Sequence, residues 1–166
     1  MFETALLLCQ TAAVFFLTAW LTTGVFENLF QPRLNSTFTA QVLDMERMRD
    51  EYPEAYADVA HRRVSNPKVQ RFLFRVIVLW EVLAVSALWI ATVALVGALV
   101  GGVDTQIARG FGLIGALMFT STWAGFLIAG NWFCYWFCHF DGQNTHFQMT
   151  LWGMATMILL AVGAGG

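Results

Sequence analysis

One acidic side chain lies where a chain can rarely accommodate it. Glu81 falls well inside an apolar run that extends from Phe72 to Val100. A charge at such depth in a bilayer costs roughly 2.5–3.5 kcal/mol on insertion scales, so the carboxyl is expected to face a partner or a cavity. Polar residues of the other apolar runs are expected at the same depth: Glu27 and Asn28, Asn131, and Asn144 and His146 with Gln148. Arg75 lies one to two turns before Glu81 on the same run. Two kinds of chemistry fit this set. One is a buried hydrogen-bond clamp that fixes how the helices register. The other is a proton, ion or head-group site open to one side. The opposite half of the apolar runs offers almost no polar groups, so a continuous pathway is not expected.

A second group is the stretch from Gly130 to Phe147, where Trp132, Phe133, Tyr135, Trp136, Phe137 and Phe140 crowd together. Amphipathic rings at this density suit a membrane–water boundary. Interleaved are Asn131, His139, Asp141, Gln143, Asn144 and His146, with the chain expected to turn at Asp141-Gly142. Here Trp132, Trp136, His139 and Asn131 could grip a quinone head. A haem held by two histidines would need them on facing helices, whereas His139 and His146 flank one turn and His61 lies in a connection. Cys134 and Cys138 with His139 do not make up the four ligands and spacings of a zinc site, and they read as buried thiols. No nucleophile–base pair, phosphate loop or dinucleotide fingerprint is present. The expectation is a protein with no catalytic residues, no metal and no cofactor.

The elements that would position these groups follow from composition. The 166 residues are 58% hydrophobic and 12% charged, against about 25% charged in soluble domains. Of the 20 charged residues, 13 fall between Gln31 and Arg71. Apolar runs long enough to span a bilayer are predicted at about 5–28, 70–100, 109–138 and 145–163, with a helical loop over 31–67. The fold class is therefore an all-α, four-helix transmembrane bundle in one domain. The first connection holds Arg33, Arg47, Arg49, Arg62, Arg63, Lys68 and Arg71, the second only Arg109, and the third none. By the positive-inside rule the loop is cytoplasmic and both termini are periplasmic.

The N-terminus, with Glu3 and no basic residue, lacks a secretory n-region, so the first helix is expected to be retained. Three cysteines, Cys9, Cys134 and Cys138, give no disulfide framework. A net charge of −2 argues against nucleic acid. In the loop, Asn35 or Ser36 is expected to cap one helix running through Glu51, Pro53 to open a second, and Ser65-Asn66-Pro67 to cap the second span. Gly112, Ala116, Thr120 and Ala124 form a small-residue stripe of the kind that lets membrane helices approach. Gly163 to Gly166 reads as a flexible end.

Several of these residues carry a resemblance. Asn28-Leu29, Val42-Leu43-Asp44-Met45, Glu81, Gly130-Asn131-Trp132-Phe133, Trp136, Phe140-Asp141-Gly142-Gln143 and Phe147 resemble the pattern of a bacterial family of predicted small integral membrane proteins, domain of unknown function 2165. Asn131 stands where the family has glutamate, and Asp141 where it has asparagine. The resemblance implies a four-helix inner-membrane protein and no established activity. The function expected from the sequence is a non-catalytic accessory or assembly subunit of a larger bacterial inner-membrane complex, respiratory or photosynthetic, in contact with other integral membrane subunits and phospholipid. The alternatives are a small oligomeric carrier or channel using Glu81, or a quinone-binding membrane protein.

Overall fold

A computed structural model describes residues 1–163; the end expected to be flexible lies, from residue 164 on, outside the described residues. The described residues are helical, with no strand. Helix α1 (Phe2–Phe30) is about 43 Å long and stops where Pro32 removes the next amide donor. Helix α2 (Arg33–Leu43) starts directly after that proline. Asn35 and Ser36 are thus inside the helix and do not cap it, contrary to expectation. Ser36 Oγ donates back to the Arg33 carbonyl, and Asn35 turns its amide onto α1.

The helix expected to run on to Glu51 breaks at Asp44-Met45. Met45 adopts a left-handed backbone, φ 52°, and α3 (Glu46–Glu51) begins after it. A left-handed non-glycine residue costs roughly 1–2 kcal/mol. Burial of Met45 and Met48 against Cys134 opposes that cost, as do the bonds of Asp44 with Arg63 at 2.7 Å and Arg49 at 3.1 Å. Helix α4 (Pro53–Val59) opens on its proline as expected, and a 3₁₀ turn at Ala60–Arg62 closes the segment.

Helix α5 (Pro67–Leu99) starts as the sequence predicts, with Asn66 Oδ1 accepting from the Lys68 amide at 2.9 Å. Helix α6 (Thr105–Trp132) begins a turn earlier than expected, because Asp104 accepts from the Gln106 and Ile107 amides. It also ends earlier. The chain breaks at Phe133-Cys134, where Cys134 is left-handed at φ 52°, and again at His139 after the short α7 (Tyr135–Cys138). Asp141-Gly142 is not the turn; both residues lie in the first turn of α8 (Phe140–Ala161).

Among the described residues helices α1, α5 and α6 are long and apolar enough to cross a membrane, three where the sequence suggested four. Helix α8 has 22 residues, but its first half is polar. It packs along α6, which also packs on α5, and α5 on α1. Fully buried Val14, Leu17, Leu21, Leu88, Leu95, Phe119 and Leu160 fill the space between them. A Cβ at Gly112 would meet Leu160 Cδ2 at 3.0 Å, and one at Gly115 Leu88 Cδ2 at 3.1 Å. The small-residue stripe of α6 is therefore taken up inside the chain, where close helix approach replaces the missing hydrophobic drive. Phe16, Leu79, Leu83, Ile90, Val93, Ile114, Leu117 and Ile158 form an apolar exterior.

Candidate functional site

Helix α1 delivers Asn28 and α5 delivers Glu81 to the same end of the bundle, the end roofed by α2. Asn28 Nδ2 donates to Glu81 Oε2 at 2.7 Å, and Asn35 Nδ2 donates to Asn28 Oδ1 at 2.7 Å. Three elements are joined by this chain of bonds, and Glu81 is only 5% exposed. Beside it lies a cavity of about 310 Å³. Its walls come from α1 (Trp20, Leu21, Gly24, Glu27, Asn28), α2 (Asn35, Phe38, Thr39), α5 (Phe74, Ile77, Glu81), α6 (Trp123, Phe126) and the segment from Phe133 and Tyr135 to His146.

Three residues of this wall each carry a buried polar atom with no hydrogen-bond partner: Trp123 Nε1, Tyr135 Oη and His146 Nδ1. Buried polar groups are normally paired, and an unpaired one costs about 1–3 kcal/mol. Their positions are set by ring packing. His146 lies against Phe126 at 4.9 Å, Trp123 at 5.5 Å and Tyr135 at 5.7 Å, the last nearly parallel at 6°. Tyr135, 3% exposed, fits a slot between two glycines. A Cβ at Gly130 would meet Tyr135 Cβ at 3.0 Å, and one at Gly142 would collide with Tyr135 Oη. The glycines of the Gly130-Asn131-Trp132-Phe133 and Phe140-Asp141-Gly142-Gln143 segments thus serve the same ring.

Of the residues expected to meet at one depth, the structure joins Asn28 with Glu81 and brings His146 and the rim residue Glu27 to the same cavity. Arg75, Asn131 and Asn144 are exposed and do not join it, because each occupies the outward face of its helix. The expected quinone grip does not assemble either. Trp132 and Trp136 are exposed, Asn131 points outward, and the Arg62 guanidinium stacks 4.9 Å over the Trp132 ring. His139 is half-buried beside Tyr135 and Phe38, and burial, then the charge of Arg47, lowers its pKa from the usual histidine value. Phe133 lines the cavity, Asp141 is exposed and Gln143 half-buried. Among the described residues no three His, Cys, Asp or Glu side chains are grouped to hold a metal ion.

Sequence reasoning missed Trp123, Asn35 and Phe38. It also missed the opposite end, where almost no polar groups were expected. There Arg109 is 4% exposed, its Nε donating to Gln10 Oε1 at 3.0 Å and its Nη1 to the Gly163 carbonyl at 3.1 Å. Gln10 Nε2 in turn donates to the Leu159 and Val162 carbonyls, so this pair caps the end of α8. Glu3 approaches Arg109 at 3.7 Å from the surface.

No curated protein and no solved structure matches the chain. The family described as predicted small integral membrane protein, domain of unknown function 2165, matches residues 6–163. A protein whose helices turn apolar faces outward over nearly that whole length is placed by this match, and the chain belongs to that family of integral membrane proteins.

Proposed function

We propose that the protein is a non-catalytic binding protein of the bacterial inner membrane, holding a small amphipathic molecule in the cavity beside Glu81. The observation that carries this reading is a cavity lined by the buried acid Glu81 and by three residues that each hold a polar atom without a partner. In this reading the chain crosses the bilayer four times. Helix α8 reaches about 33 Å, enough for the hydrocarbon core. The seven basic residues from Arg33 to Arg71 support a cytoplasmic cavity end, with both termini in the periplasm.

An accessory or assembly role in a larger complex draws less support from the small-residue stripe of α6, since Gly112 packs against Leu160 and Leu95 of the same chain. A carrier or channel centred on Glu81 meets the fully buried layer of Leu17, Leu88, Ala91 and Phe119. The test is native mass spectrometry of the chain released from lipid nanodiscs. A small molecule is expected at about one per chain in the wild type and is lost in Gly24→Leu. A Cβ at Gly24 meets only Trp20 Cζ3, at 4.0 Å, so that variant keeps the fold while crowding the cavity. A wild type that carries nothing overturns the reading.

A further inference from the structure

Resting on the cavity as a binding site, we propose that its occupant is an organic ammonium cation with an acceptor oxygen nearby, an amino-alcohol ester in kind. The charge balance of the wall selects the cation. Glu81 and Glu27 line the cavity, and no lysine or arginine does. The partner of Glu81 is the neutral amide of Asn28, which donates to one carboxylate oxygen and leaves the other for the cavity. Among the described residues no ion pair reaches Glu81. An anionic head would meet two acidic side chains here and no basic lysine or arginine.

Phe74 and Trp123 add buried aromatic rings to the wall. Ring faces carry the negative end of the aromatic quadrupole, and attraction to a cation grows when both are desolvated. Trp123 Nε1 fixes the second requirement, since an indole N–H can only donate. Tyr135 Oη and His146 Nδ1 can each act either way. A molecule that brings positive nitrogen to Glu81 and oxygen to Trp123 satisfies both. A quinone head satisfies Trp123 and leaves the carboxylate uncompensated.

The test compares benzoylcholine with 3,3-dimethylbutyl benzoate, in which carbon replaces the charged nitrogen without change of shape. Both are titrated calorimetrically into the full chain in lipid nanodiscs. The cation is expected to bind at least about tenfold tighter than its isostere. In Glu81→Gln, whose amide oxygen still accepts from Asn28, the ratio falls to near one. Trp123→Phe, which deletes the N–H donor, weakens both probes. Equal affinity of the two probes for the wild type overturns the cation and leaves the binding site standing. If neither binds while a molecule still copurifies with the wild type and not with Gly24→Leu, the ligand class is again wrong and the cavity reading survives. If nothing copurifies either, both fail.

Discussion

At the scale of single residues the energetics centre on one amide. Asn28 accepts from Asn35 and donates to Glu81, so its removal strands a carboxylate and an amide together. Interhelical polar contacts in membrane proteins average about 0.6 kcal/mol and reach about 1.7. Asn28→Ala is expected near the upper figure, read as a lowered melting temperature in detergent, with Asn28→Asp no better because it sets two carboxylates side by side. His139 gives a pH signature. Its folded pKa is depressed, so as pH falls through about 6.5 the unfolded chain takes up a proton that the folded chain refuses. The stability contributed above that pH is therefore lost on acidification, and His139→Gln is expected to flatten that part of a melting-temperature profile between pH 7.5 and 5.5. That Glu81 needs a partner was legible in the sequence, because an acid in an apolar run must find one; which of Glu27, Asn28, Arg75 and Asn131 it would be was not. Trp123 was not: a tryptophan in a span is ordinary, and only the packing of His146 and Phe126 around it reveals an unmet donor. Nor could sequence select Tyr135 from the six aromatics of its stretch, since all suit the boundary equally and one alone has a slot inside.

At the scale of elements, the long helices followed from composition, and the start of α5 from its cap at Asn66-Pro67, whereas α6 and α8 start earlier than expected. The breaks did not. An Asp-Gly pair reads as a turn, yet Gly142 sits in the first turn of α8 because a ring fills the space its side chain would need. Met45 and Cys134 kink their segments without glycine, and they do so against each other in one buried cluster. No local signal announces that trade of backbone strain for burial. The slot makes a quantitative prediction. Gly142→Ala is expected to cost about 1–3 kcal/mol by overpacking, and Tyr135→Phe on the same background to recover part of it by deleting the colliding hydroxyl. A double-mutant cycle by thermal or denaturant unfolding should give a coupling of at least about 0.5 kcal/mol; additivity would mean the ring and the glycine do not touch.

At the scale of the whole molecule the two ends differ. One carries a cavity and an acid; the other carries Arg109 and Gln10 fastened to the carbonyls at the end of α8. Between them Thr18 of α1 meets Thr92 and the Leu88 carbonyl of α5, the hydroxyl pair at 2.9 Å, set among side chains with no exposed surface. Proteoliposomes containing the chain alone are expected to show no proton or cation flux above protein-free vesicles in a dye-quench assay. Helical class, membrane residence and family were legible because they are written in composition and motif. The polar cluster at the opposite end was not, since Arg109 reads as a loop residue until Asp104 starts the helix before it.

The shared slot also bears on descent. Gly130, Tyr135 and Gly142 occupy one volume, so the three positions form a single heritable trait. A lineage that keeps the tyrosine is bound to both glycines, and one that trades it for a small side chain is released from both. Homologues sorted by the residue at position 135 should divide at the other two positions along the same branches.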